Sequence, residues 1–137
     1  VKFHKFFMVA PLVLVTSLLL ATTSKGVYAD TPASRLVTVS YYGNGDNDEC
    51  GKNRPCHGSF TACGQVFNKN HITVANKTLP CGTPVRFCTS NKCVVAKVTD
   101  RGPFVKGRQF DLSLGAARYL GIIEQGVARV KATVLGG

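Results

Sequence analysis

The sequence has no Cys-x-x-Cys pair, no low-complexity tract and no dense block of like charge, and its acidic residues number only seven against 17 Lys and Arg. Each shortage excludes something. Without paired-cysteine spacing, and with its three His not spaced among the Cys as ligands usually are, the chain is not expected to hold zinc, another metal or a cofactor. The shortage of acids leaves a formal net charge of +10, which suits an anionic partner. Because the cations are scattered, a merely solvated surface is the plain alternative. The longest apolar run, residues 6–21, is interrupted by Pro11, Thr16 and Ser17 and falls short of the roughly 20 residues of a membrane span, so no stable membrane anchor is expected.

That run has a different meaning. Lys2, His4 and Lys5 precede it, and a short polar stretch ending in Val27-Tyr28-Ala29 follows. A basic start, an apolar stretch and a small-residue site make a secretory signal peptide. Residues 1–29 are therefore expected to be cleaved near Ala29, residues 30–36 to be a short linker, and residues 37–137 to form one domain. The product is expected outside the cell or in its envelope. No Cys follows the apolar run, so a lipid anchor is not expected either. Losing Lys2, Lys5 and Lys25 takes Lys and Arg from 17 to 14 and leaves a net charge of about +7. Export also argues against nucleic acid, the default partner of a cytosolic chain this basic.

The six Cys, at positions 50, 56, 63, 81, 88 and 93, all follow the leader. An even count in an exported chain reads as three disulfides, useful in a domain too small to bury a large core. Spacing alone leaves the connectivity open. Only Cys88 and Cys93 are suggestive, because they flank Thr89-Ser90-Asn91-Lys92, a hairpin signal between two β-rich runs, 83–88 and 93–99.

Alternation of apolar and polar residues over 36–42 predicts a strand, and residues 43–58, rich in Gly, Asn, Asp and Pro, predict a long loop. Short strands are expected at 71–75 and 109–112. Ser113 is placed to cap a helix through Ala116, Ala117 and Leu120, with Gly121 as its stop. A last strand over 127–135 should turn Ala128, Val130, Ala132 and Val134 one way and Arg129, Lys131 and Thr133 the other. Many short strands, one short helix and long loops make an all-β protein, a small β-barrel.

Three segments together go further. Val39-Ser40-Tyr41-Tyr42-Gly43 resembles the Ser-Trp-Tyr-Gly opening strand of RlpA-like domains. Thr61-Ala62-Cys63-Gly64-Gln65-Val66-Phe67, with Thr73-Val74-Ala75 and Leu79-Pro80-Cys81-Gly82-Thr83-Pro84-Val85-Arg86, resembles their central block. Asp100-Arg101-Gly102-Pro103-Phe104 and Arg108-Gln109-Phe110-Asp111-Leu112-Ser113 resemble their signature. The resemblance spans about residues 37–135. It implies a six-stranded double-psi β-barrel acting on peptidoglycan glycan strands as a lytic transglycosylase; the domain, with its one short helix, is expected to be a monomer. Family members often carry Asn-Gly-Glu where this chain has Cys63-Gly64-Gln65, and His in the block reading Thr73-Val74-Ala75-Asn76. Cys63 and Cys81 both replace non-Cys family residues, which implies that they bond to each other; Cys88–Cys93 and Cys50–Cys56 are then the remaining pairs.

Lytic transglycosylation needs only one carboxyl group in principle. The sugar's own hydroxymethyl oxygen attacks its anomeric carbon, so the same group serves first as acid and then as base, where ordinary glycosidases use two carboxylates. The resemblance makes Asp100 that group; the structural alternative is that Asp100 accepts hydrogen bonds within its turn or pairs with Arg101 or Arg108. Gln65 stands at the position of the family's catalytic Glu and has an amide to offer sugar acetamido or hydroxyl groups. Thr61, Arg101 and Arg108 are expected to contact substrate. Tyr41 and Tyr42 offer flat faces to sugar rings, but adjacent strand residues point opposite ways, so one belongs to the core. Asp111, two residues before the helix cap, reads as structural. Glu49 and Glu124 read as surface, and His57 and His71 have no visible partner. Two rival functions remain: a non-catalytic wall-binding or wall-loosening protein like expansins, and a protease inhibitor on a similar barrel.

Overall fold

A computed structural model describes residues 32–43 and 55–136. The expected leader, Glu49 and Cys50 lie outside them. The described elements are β1 (Ser34–Tyr42), β2 (Thr73–Ala75), β3 (Pro84–Cys88), β4 (Cys93–Asp100), β5 (Phe110–Ser113), α1 (Leu114–Leu120) and β6 (Ala128–Val134). The strands close into a barrel in the order β1-β5-β2-β4-β3-β6. β1 runs parallel to β5 and β2 parallel to β4, while the other pairs are antiparallel. This is the expected six-stranded double-psi barrel. Closure leaves no free sheet edge. Among the described residues no helix is long and apolar enough to cross a membrane.

β-branched and aromatic residues fill the interior. Val39, Val74, Val85, Phe87, Val98 and Leu112 are fully buried, and Phe87 meets Phe110 edge-on at 5.0 Å. The helix closes this core with Ala116, Ala117 and Leu120. Its caps are those expected: the Ser113 hydroxyl accepts from the Ala116 amide, and Gly121 takes the left-handed conformation. The same Ser113 hydroxyl donates to the His71 carbonyl at 2.6 Å and accepts from the Thr73 amide at 3.1 Å, which ties the helix to the entry of β2.

Gly115 makes that docking possible. A Cβ there would strike the Asn70 carbonyl and come within 3.0 Å of the His71 carbonyl oxygen. These are backbone atoms and have little room to retreat. Gly115→Ala is expected to destabilise the fold by about 1–3 kcal/mol, the range for overpacking, read as a lower midpoint in denaturant.

Several boundaries differ from those expected. β1 starts at Ser34, inside the expected linker, because Ser34, Arg35 and Leu36 pair with Thr133, Ala132 and Lys131. β2 is confined to Thr73–Ala75, and β4 extends to Asp100. In β6 the alternation fails at its end: Thr133 is buried and Val134 is 37 % exposed. Thr133 tolerates burial because its hydroxyl bonds to that of Ser34 at 2.8 Å. The Cys63–Cys81 and Cys88–Cys93 bridges are present. Cys56 is also disulfide-bonded, and its expected partner, Cys50, lies outside the described residues.

Candidate active site

One row of strand residues organises a cleft. Ser40 on β1 is opposite Asp111 on β5, Asp111 is opposite Ala75 on β2, and a register shift in β2 sets Ala75 opposite Asp100 at the end of β4. The two Asp backbones are therefore two strand spacings apart, roughly 10 Å. Only the small side chain of Ala75 stands between them. Both Asp line a cavity of about 250 Å³, together with Tyr42, Arg108 and the 101–105 segment.

Asp100 is buried, at 6 % exposure. Its Oδ1 accepts two backbone hydrogen bonds, from Ala62 N and from Arg101 N, each at 2.9 Å. The Ala62 amide is delivered by a tight turn in which Thr61 N donates to the Gln65 carbonyl at 2.8 Å and Gln65 N donates to the Thr61 hydroxyl at 3.3 Å. The Cys63–Cys81 bridge anchors that turn to the 80–82 turn, and the Cys63 amide donates to the Thr99 carbonyl at 3.2 Å. Asp111 is buried as well, and its Oδ1 accepts from the Ser40 hydroxyl at 2.9 Å.

Tyr42 lines the same cavity as the two Asp, its ring stacked on Phe67 at 4.9 Å. Its hydroxyl sits near those of Thr73 and Thr99, yet none of the three has a hydrogen bond of acceptable geometry among the described residues. Burial, and then the charges of Asp100 and Asp111, push the Tyr42 phenol far above its ordinary range. Tyr42 thus remains a neutral wall of the cleft.

The other expected site residues fall into distinct places. Arg108 lines the cavity. Arg101 borders it, but its guanidinium donates to the Asn76 and Leu79 carbonyls at 3.0 and 2.7 Å and to Cys81 Sγ at 3.3 Å; it braces the 76–81 loop. Thr61 is buried in its turn. Gln65 is exposed on that turn and is not among the residues lining the cavity. Tyr41 is half-buried, packs on the core and donates to the Ile123 carbonyl at 3.2 Å. The adjacent tyrosines therefore present no open ring face pair. The exposed aromatic of the cleft is Phe104, at 60 % exposure. His57 and His71 do have partners, the Lys69 amide at 3.3 Å and the Asn68 side chain at 3.2 Å. Asn76, where the family tends to carry His, is committed to the backbone: its Nδ2 donates to the Gln109 carbonyl and its Oδ1 accepts from the Thr78 and Leu79 amides.

Sequence reasoning missed Asp111 and Phe104 as cleft residues. Asp111 becomes visible only through strand pairing, since 11 positions separate it from Asp100 along the chain. Phe104 carried a local signal, as an apolar residue at the head of a Gly-Pro loop following an Asp.

Known proteins resemble the chain at two levels. A double-psi β-barrel family model described as lytic transglycolase matches residues 36–132. A probable endolytic peptidoglycan transglycosylase RlpA of Nostoc sp. (strain PCC 7120) is 46% identical over 100 residues, 72% of this chain and 25% of that protein. The endolytic peptidoglycan transglycosylase RlpA of Rickettsia bellii (strain RML369-C) is 44% identical over 95 residues, 68% of this chain and 39% of that protein. The chain thus spans a quarter to two-fifths of the length of these relatives. Among solved structures, the Streptomyces papain inhibitor aligns over 76% of this chain and 96% of its own, with a TM-score of 0.57 and 19% identity. An expansin of Clavibacter michiganensis aligns over 76% of this chain and 51% of its own, with a TM-score of 0.57 and 17% identity. At those identities the likeness is one of fold alone.

Proposed function

Because the chain belongs to the RlpA-type lytic transglycolase family of double-psi β-barrels, we propose that it cleaves peptidoglycan glycan strands internally and leaves anhydro-muramyl ends. The observation that carries this reading is Asp100: a buried carboxyl group, fixed by two backbone amides on one oxygen, in the wall of an open cleft. In the proposed reaction Asp100 gives its proton to the leaving glycosidic oxygen. It then takes one from the hydroxymethyl group of the same muramyl sugar as that oxygen closes on the anomeric carbon. The proton count balances, and no water is consumed. Asp111, across Ala75, offers negative charge to the sugar as positive charge develops at its ring. Arg108 and Phe104 hold the strand in the cleft.

Cleavage of wall glycan places the work outside the cytoplasm, in keeping with the disulfides. We assign residues 1–29 the role of the leader that takes it there. The polypeptide acts as a single barrel, and the proposed steps call on no cofactor.

A second reading follows from Gln65, whose exposed side chain is an amide where active relatives have a carboxyl group. In that reading the barrel binds strands and loosens the wall without cutting them. Mass spectrometry of purified strands incubated with the protein separates the two. Anhydro ends are the expected result. Reducing ends would mean hydrolysis, and intact strands that co-sediment with the protein would leave the binding reading standing.

Phe104→Ala tests the cleft independently of the acid. An exposed ring face stacks on the apolar face of a sugar, worth about 1 kcal/mol. The variant is expected to raise KM by roughly 5- to 10-fold with a smaller effect on kcat. An unchanged KM would remove Phe104 from the site.

A further inference from the structure

The barrel has a second exposed face, on the side away from the cleft. The cleft lies over the row that crosses β1, β5, β2 and β4. In the closed order β1-β5-β2-β4-β3-β6, the strands opposite β5 and β2 are β3 and β6. Alternation turns Val85 and Phe87 of β3 and Val130 and Ala132 of β6 into the core. Between them Arg86, Arg129 and Lys131 are exposed, as is Lys97 on the flanking β4.

Register arranges these cations. Lys131 is opposite Cys88, and Arg86 is two residues before Cys88. Arg86 is opposite Val95, and Lys97 is two residues beyond Val95. Lys131, Arg86 and Lys97 thus form a diagonal across three adjacent strands, each step about 7–8 Å. Arg129, two residues from Lys131 along β6, continues the series. Two aliphatic side chains stand among them: Leu36 opposite Lys131 and Val95 opposite Arg86. They are 55 % and 49 % exposed.

No counter-charge balances this face. Among the described residues, no hydrogen bond or ion pair engages the four cationic groups. The described carboxylic residues are Asp100 and Asp111, buried at the cleft, and Glu124, in the turn before β6. Like charges this close raise the local potential and draw anions. The aliphatic pair narrows the choice of anion. A soluble polyanion engages the cations alone. A membrane surface engages both, because Lys and Arg extend to the phosphate groups while apolar side chains enter the interface. The series is also spread over four strands, roughly 14 Å across, and not sunk in a groove. That shape suits a plane of headgroups better than a single chain.

We propose that this face docks reversibly on a membrane rich in anionic phospholipid. Arg86, Lys97, Arg129 and Lys131 meet the phosphate groups, and Leu36 and Val95 enter the interface between them. The cleft is then turned away from the bilayer. The proposal does not rest on the transglycosylase reading, and no readout below involves cleavage.

Co-sedimentation of the exported protein with vesicles tests it. Equimolar phosphatidylcholine and phosphatidylglycerol are expected to bind it on the order of 10²-fold more strongly than phosphatidylcholine alone. The preference should shrink as ionic strength rises. Arg86→Gln/Lys97→Gln/Arg129→Gln/Lys131→Gln should lose most of it. Lys69→Gln/Lys77→Gln/Lys106→Gln/Arg118→Gln removes the same charge from elsewhere and should bind within about 3-fold of the parent. Leu36→Ser/Val95→Ser should weaken vesicle binding by roughly 10-fold and leave binding to a soluble phosphodiester polymer unchanged. Unchanged circular dichroism would show an intact barrel in each variant. Wild-type binding indifferent to lipid charge overturns the proposal without any variant. So does an equal loss in the two quadruple variants, or a Leu36→Ser/Val95→Ser protein that binds vesicles like its parent. Tighter binding to the phosphodiester polymer than to vesicles overturns it too, and would make the face a site for a soluble polyanion.

Discussion

Asp100→Asn is expected to lower the rate of glycan cleavage by about 10²–10⁴-fold, the range supplied by one acid–base group, while the barrel remains folded. The substitution is close to isosteric, and its carbonyl oxygen can still accept from the Ala62 and Arg101 amides that now meet Oδ1. What it removes is the proton. An amide cannot protonate the leaving oxygen, nor take a proton from the attacking hydroxyl. The measurement is kcat on purified glycan strands, with thermal melting of the same sample. Cleavage that survives in a folded variant would show Asp100 to be a turn acceptor only. A variant that unfolds would point to the structural role, that of an acceptor for the Ala62 and Arg101 amides.

Loss of the Cys63–Cys81 bridge should have the largest effect on stability and a separable effect on rate. The bridge closes a span with sequence separation 18, for which chain entropy predicts about 3 kcal/mol. Cys63→Ser/Cys81→Ser is therefore expected to lose about 2–4 kcal/mol in denaturant unfolding. The bridge also fixes the turn that carries the Ala62 amide to Asp100, and Cys81 Sγ is a contact of the Arg101 guanidinium. At a temperature where the variant is fully folded, kcat should still fall, by roughly 10-fold, since a small displacement of a positioned group is costly. Cys88→Ser/Cys93→Ser is the control. That bridge spans a separation of 5 at the far hairpin, so its removal should cost stability and leave kcat alone. Equal kcat in both double variants would show that the Cys63–Cys81 bridge only stabilises the fold.

Much of the barrel was legible in the chain. Period-two alternation marked β1 and β6, the Ser113 and Gly121 caps bounded the helix, and the Cys88–Cys93 pair flanked its hairpin. These are local features, set by side-chain chemistry within a few residues, and the sequence carries them in full. Its motifs also singled out the segment that holds Asp100, and the family resemblance singled out the turn that holds Ala62 and Cys63.

Other features had no local signal. Ser34 joined β1 because Thr133 and its neighbours stood ready to pair with it, some 99 positions away. Strand alternation put one of Tyr41 and Tyr42 in the core without saying which; packing decided it by stacking the Tyr42 ring on Phe67 and setting the Tyr41 hydroxyl on the Ile123 carbonyl. Arg101 looked like a substrate ligand until three backbone and sulfur acceptors took its guanidinium. Composition, strand rhythm and capping are properties of the sequence by itself, because each depends on residue type and spacing along the chain, whereas the Cys63–Cys81 pairing was implied only by the family resemblance. The row Ser40–Asp111–Ala75–Asp100 exists only in the tertiary structure. Parallel pairing and barrel closure bring together residues from β1, β2, β4 and β5 that no period along one strand can connect.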